Sequence, residues 1–119
     1  MSEQKMNDQQ MSESELRALA KQIYDRINDA FDEVDPDIAE CEESLGSLSI
    51  QLADGAKWIL SVQPPVRQMW LAVASIGRAF HFNYDPANQT WHDDKDQGIE
   101  LLSYLEGLLK EIAGLNLRF

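Results

Sequence analysis

The sequence predicts an α+β sandwich: an antiparallel sheet of about six strands, with an N-terminal and a C-terminal helix packed on one face. Three observations predict it. Apolar residues recur with a helical period near both ends of the chain. Between them they alternate with a period of two. Turn residues then break the alternation at short intervals, as in hairpins rather than helical crossovers.

The first helix opens at Ser12, because Ser12 followed by Glu15 forms a capping box. Its apolar stripe runs through Leu16, Leu19, Ala20, Ile23, Ile27, Ala30, Phe31 and Val34. Pro36 stops it, since the residue before a proline is pushed out of the helical region. A strand begins at Ile38, with Ala39 and Cys41 alternating against Glu40 and Glu42. Leu48, Ile50 and Leu52 make the next strand, and Asp54-Gly55 signals a hairpin. Trp58, Leu60 and Val62 follow until Pro64-Pro65 breaks the pairing. Met69, Leu71 and Val73 then share one face, and Ile76-Gly77 turns the chain into Phe80, Phe82 and Tyr84. Asp85-Pro86-Ala87-Asn88 is a further turn, and Thr90-Trp91 is a short last strand. Gly98 precedes the second helix, whose stripe is Leu101, Leu102, Leu105, Leu108, Leu109 and Ile112. The alternating tail Gly114–Phe119 is expected to cover the groove between the helices.

A chain of 119 residues is one domain's worth, and residues 1–11 read as a polar tail ahead of a single domain over 12–119. That tail has neither the apolar core of a secretory signal nor the Arg-rich character of a transit peptide. With Cys41 as the lone thiol, the expected location is the cytoplasm. Ten Lys and Arg against 21 Asp and Glu give a net charge of −11. Such a chain repels nucleic acid and anionic membrane and attracts cations or a basic protein surface.

The charge is not spread evenly. Asp25, Asp29, Asp32 and Glu33 are neighbours on one helix face, where like charges repel and acids near the C-terminus oppose the macrodipole. Asp35, Asp37, Glu40, Glu42 and Glu43 bring the total to nine carboxylates between positions 25 and 43, with Arg26 the single base in that interval. Carboxylates are hard ligands for iron, calcium, magnesium or manganese. Without a His/Cys cage, binding would be weak, multiple and exchangeable. The same ridge can steer and orient a basic partner.

Trp70 lies opposite Met69, Leu71 and Val73, on the sheet face that no helix covers. Two readings stand: a half-buried packing residue, or the centre of an interface. Trp58 and Trp91 read as packing residues, His81 and His92 lack partners at metal-ligand spacing, and Cys41 reads as a small apolar strand residue. The stretch Asp93-Asp94-Lys95-Asp96-Gln97-Gly98 fails as a calcium loop, because Lys95 and Tyr104 stand where acids are required. No nucleophile–base motif, phosphate loop or dinucleotide fingerprint is present, so covalent catalysis is not expected.

The run Asp54-Gly55-Ala56-Lys57-Trp58-Ile59-Leu60-Ser61-Val62-Gln63-Pro64-Pro65, then Gln68-Met69-Trp70-Leu71-Ala72, Phe80-His81-Phe82, Trp91 and Gly98, resembles the frataxin family, especially its bacterial members. The resemblance spans about residues 14–113, and makes 12–119 a frataxin-like domain. It implies an iron chaperone: an accessory protein that modulates iron–sulfur cluster assembly, binds Fe2+/Fe3+ on the acidic ridge, and docks on a cysteine desulfurase. It also implies that Trp70, with Gln68 beside it, faces the scaffold protein or the desulfurase, and that Asp29, Asp32 and Glu33 serve docking as well as iron. Other divalent cations could share the ridge. The expected state is a monomer, with iron-dependent oligomers as an alternative. Two other functional readings stay open: a purely docking regulator with incidental metal binding, and a weak ferroxidase. For the latter no Glu-x-x-His helix pair is present. Many bacterial members carry a histidine near Arg17, so no N-terminal histidine ligand is expected here.

Overall fold

The computed structural model describes residues 11–119, and the tail expected before them lies outside the described residues save Met11. The first helix, α1, covers Glu13–Ala30, and the capping box at its start is closed in both directions. The Ser12 backbone N–H donates to Glu15 Oε1 at 2.8 Å, and the Glu15 N–H donates to Ser12 Oγ at 3.0 Å. Leu16, Ala20, Ile23 and Ile27 put the expected stripe into the core.

The regular helix ends at Ala30, ahead of Pro36, and tightens into a 3-10 turn over Phe31–Glu33. No basic residue sits in its last turn, while Asp29, Asp32 and Glu33 crowd its negative end. The tighter turn gives a carbonyl at this unsupported end a partner: Val34 N–H donates to Phe31 O at 3.0 Å. Phe31 stays buried and Val34 partly buried, so the apolar stripe outlasts the helix that carries it.

Six strands follow: β1 (Ala39–Ser44), β2 (Ser47–Leu52), β3 (Lys57–Gln63), β4 (Gln68–Val73), β5 (Arg78–Asp85) and β6 (Thr90–Asp93). They form one antiparallel sheet in the order β1-β2-β3-β4-β5-β6, with α2 (Leu101–Ala113) returning at the end. β1 starts one residue later than expected, and Ile38 is left exposed. The registers Ile50↔Trp58, Trp58↔Val73, Leu60↔Leu71 and Leu71↔Phe80 line up the apolar members of successive strands. These meet Leu16, Leu101, Leu105 and Leu109 of the helices in one core, in which every fully buried side chain is apolar or aromatic. Tyr24 carries a polar tip, and its hydroxyl donates to Gly46 O at 2.7 Å, tying α1 to the β1–β2 turn. Burial, with Glu43 nearby, holds that phenol above its usual pKa range.

The β1–β2 turn is Leu45-Gly46, both with positive φ (53° and 83°), as a two-residue hairpin loop requires. Leucine is sterically strained in that conformation and is fully exposed there. Leu45→Asn, which tolerates positive φ, is therefore expected to raise stability by about 1 kcal/mol in a denaturant melt.

At the other end of the chain, Glu100 caps α2, accepting from Leu102 and Ser103 N–H at 3.2 and 3.0 Å. Gly114, at φ 69°, ends the helix. The tail then does what its alternation suggests. Leu115, Leu117 and Phe119 pack against the core. Phe119 N–H donates to Glu106 Oε2 on α2 at 2.8 Å, and Arg26 Nη2 on α1 donates to Phe119 O at 2.7 Å. The segment thus bridges the two helices.

Candidate functional site

All nine acids of the ridge are at the surface, and only Glu43 is half-buried. Asp25 and Asp29 stand on α1, Asp32 and Glu33 on the 3-10 turn, and Asp35 and Asp37 in the connection to β1. Asp35 shapes that connection itself, accepting from Asp37 N–H at 2.9 Å through its side chain and from Ile38 N–H at 2.8 Å through its carbonyl. Strand alternation then divides the remaining three: Glu40 and Glu42 are exposed, while Glu43 shares the helix-facing side with Ala39 and Cys41.

The bases near the ridge are arranged differently from the linear count. Arg26, the one base between positions 25 and 43, commits its guanidinium to Phe119 O. Lys21, one turn before Asp25, takes its place. Lys21 Nζ lies 3.0 Å from Asp25 Oδ1 and 2.9 Å from Glu43 Oε1, which cross-links α1 to β1. Hydrogen bonds to Glu43, then to Asp25, hold the lysine's pKa above its ordinary value. The signal was present as an i,i+4 Lys–Asp pair, but Glu43 lies 22 residues away and only the fold delivers it. Asp29, Asp32, Glu33, Asp35, Asp37, Glu40 and Glu42 make no ion pair among the described residues.

These carboxylates do not converge. Among the described residues no group of three or more His, Cys, Asp or Glu is placed to share a metal ion. Cations would therefore meet one or two carboxylates at a time, completing their shell with water, which favours weak and exchangeable binding. Arg17 pairs with Glu13 at 2.8 Å. Cys41 is half-buried, and burial together with Glu43 pushes its thiol up to about 12, so it stays protonated near neutral pH.

On the sheet face away from the helices, Trp70 is half-buried. Its register neighbours are Ser61 and His81, and its ring stacks on His81 with centroids 4.3 Å apart at 21°. The indole N–H donates to Gln68 Oε1 at 2.9 Å, and Gln68 Nε2 donates at 3.1 Å to both Asn83 Oδ1 and Asp94 Oδ2. Asp94 in turn lies 3.5 Å from His81 Nδ1. Gln68, Trp70, His81, Asn83 and Asp94 therefore form one connected platform, of which the sequence singled out the first two.

The failed calcium loop has its own explanation. Asp93 accepts backbone N–H groups from Lys95, Gln97 and Ile99 at 3.1, 3.1 and 2.9 Å. Desolvation works against its carboxylate, but these donors win and hold its pKa below the usual range. The segment is a self-satisfied turn that aims Asp94 at the platform. His92 contacts Thr90 Oγ1 at 2.7 Å, away from the ridge.

With this geometry in place, the comparisons with known proteins decide the family. The model of the frataxin-like domain matches residues 9–115. The chain belongs to the frataxin family. It is 37% identical over 109 residues to the iron-sulfur cluster assembly protein CyaY of Pseudomonas fluorescens, covering 92% of this chain and 96% of that one. It is 39% identical over 110 residues to the protein of the same name from Pseudomonas syringae, with the same coverage of both chains. Among solved structures, the frataxin from Psychromonas ingrahamii superposes with a TM-score of 0.78 at 26% identity, over 90% of this chain and 96% of that one. The helix–meander–helix order of this frataxin-family chain thus has a solved counterpart. Among the described residues no helix is long and apolar enough to cross a membrane.

Proposed function

We propose that this frataxin-family protein is an accessory factor of iron–sulfur cluster assembly. On this reading the ridge carries Fe2+ or Fe3+ as loosely held cargo and docks on the basic surface of a cysteine desulfurase. Trp70 and Gln68 face the scaffold protein or the desulfurase from the sheet side. Two things support it: the names of the CyaY relatives, and the seven carboxylates that carry no internal counter-charge among the described residues. The second observation carries most weight. A cluster that repels itself and weakens its own helix end is retained at a stability cost, which an external positive group would offset on binding.

The absence of converging ligands among the described residues favours a second reading, in which docking is primary and metal binding incidental. One experiment separates the two. Binding of the desulfurase is measured with and without Fe2+, for the native chain and for a variant with lysine at positions 29, 32 and 33. Under iron delivery, Fe2+ shifts the NMR signals of residues 25–43, and docking depends on iron. Under pure docking, the native chain binds equally without iron. If the variant binds as well as the native chain, the ridge does not dock the desulfurase at all.

A further inference from the structure

Among the described residues β1 is an open edge of the sheet, and its hydrogen-bonding direction is fixed by the turn beside it. A two-residue turn makes Ser44↔Ser47 a hydrogen-bonded pair, so Glu42 and Glu40 also pair with β2, while Glu43, Cys41 and Ala39 aim N–H and C=O outward. Two contacts agree with this parity: Ile38 O accepts from Ala53 N–H on the β2 side, and Ala39 N–H donates to Asp35 O in the outer connection. Among the described residues no loop, cap or side-chain acceptor takes the N–H groups of Cys41 and Glu43, and the pairing parity turns both away from β2.

An open groove of about 620 Å³ lies along this edge. Phe31, Val34, Ala39 and Cys41 give it an apolar floor, and Asp32, Glu40 and Glu42 give it charge. We infer that the β1 edge is a strand-addition site for an extended segment of a partner, in which basic and apolar residues alternate. This deepens the docking reading above and rests on it for the sign of the partner's charge. An added strand would set its bases on the face of Glu40 and Glu42. Its apolar side chains would fall on the face of Ala39 and Cys41, over the groove floor. The same glutamates reject the commonest wrong partner, because a second copy of β1 would set Glu against Glu.

The probe is a capped Lys-Val-Lys-Val-Lys-Val peptide, with its fully N-methylated analogue as a control that keeps side chains and charge but cannot donate backbone hydrogen bonds. The expected result is at least tenfold slower hydrogen exchange at the Cys41 and Glu43 amides with the parent peptide, and no slowing with the analogue. Glu40→Gln with Glu42→Gln should weaken parent binding at least fivefold at low salt. No binding, binding without protection of those two amides, or equal binding of the methylated peptide overturns strand addition. So does concentration-dependent dimerisation through β1 of the free protein. If the desulfurase binds the ridge but leaves Cys41 and Glu43 unprotected, strand addition fails and the docking reading survives.

Discussion

Trp58→Ala is expected to destabilise the protein by about 3–5 kcal/mol, the cost of emptying a fully buried aromatic site. Trp58 has no exposed surface, sits in β3 near the middle of the sheet, and pairs in register with Ile50 and Val73. Its neighbours belong to both flanking strands, so relaxation cannot close the cavity without breaking sheet register. Domains of this kind are held by only about 5–15 kcal/mol, so the loss is a large share of the total. A urea melt followed by circular dichroism should show the midpoint lowered by on the order of 2 M with little change in slope. The indole N–H also donates to Ser75 Oγ at 2.8 Å. Ser75→Ala should cost about 1 kcal/mol by leaving that donor unpaired, which isolates the polar contribution from the volume. A Trp58→Ala loss below about 1 kcal/mol would contradict the packing described for the sheet centre.

The second large effect has opposite signs for function and stability. Asp29→Lys, Asp32→Lys and Glu33→Lys together take the net charge from −11 to −5, each reversal adding two units, and put bases at the negative end of α1. Folding stability should rise by about 1 kcal/mol, because bases now complement the macrodipole, while repulsion among three acids is exchanged for repulsion among three bases. The base introduced at position 29 would also stand four residues after Asp25, in the favourable acid-to-base orientation. Desulfurase binding should fall at least 100-fold under whichever iron condition lets the native chain bind, mostly through lost steering and mismatched charge across the interface. Native binding should weaken as salt is added. A variant that is more stable and still docks normally would remove the functional argument for the ridge. One that is less stable would remove the physical argument that the acids strain their own helix end.

Which parts were legible is clearest from particular residues. Leu16, Ile23 and Ile27 at helical spacing, and Leu48/Ile50/Leu52 or Met69/Leu71/Val73 at spacing two, report their faces directly, because periodicity is a local property of the backbone. The strand order followed for a related reason, since short turns leave neighbours little choice but to pair. Pro36 marks where helical backbone must stop, but the tightening at Phe31–Glu33 is not legible, because crowding by Asp29, Asp32 and Glu33 is cumulative rather than local. Leu45-Gly46 does not read as a turn in the sequence, because leucine is a poor occupant of positive φ.

Sequence alone determined the layers, the core faces, the concentration of acids between positions 25 and 43, and the exposed side for Trp70, all of which follow from spacing and residue type. The tertiary structure alone decided how charge is paired across elements. It sent Arg26 to Phe119, brought Lys21 to Glu43, and linked Gln68 to Asp94. Such pairings join residues 22 to 93 positions apart. They depend on where long side chains reach after the backbone is fixed, and no local pattern encodes that distance.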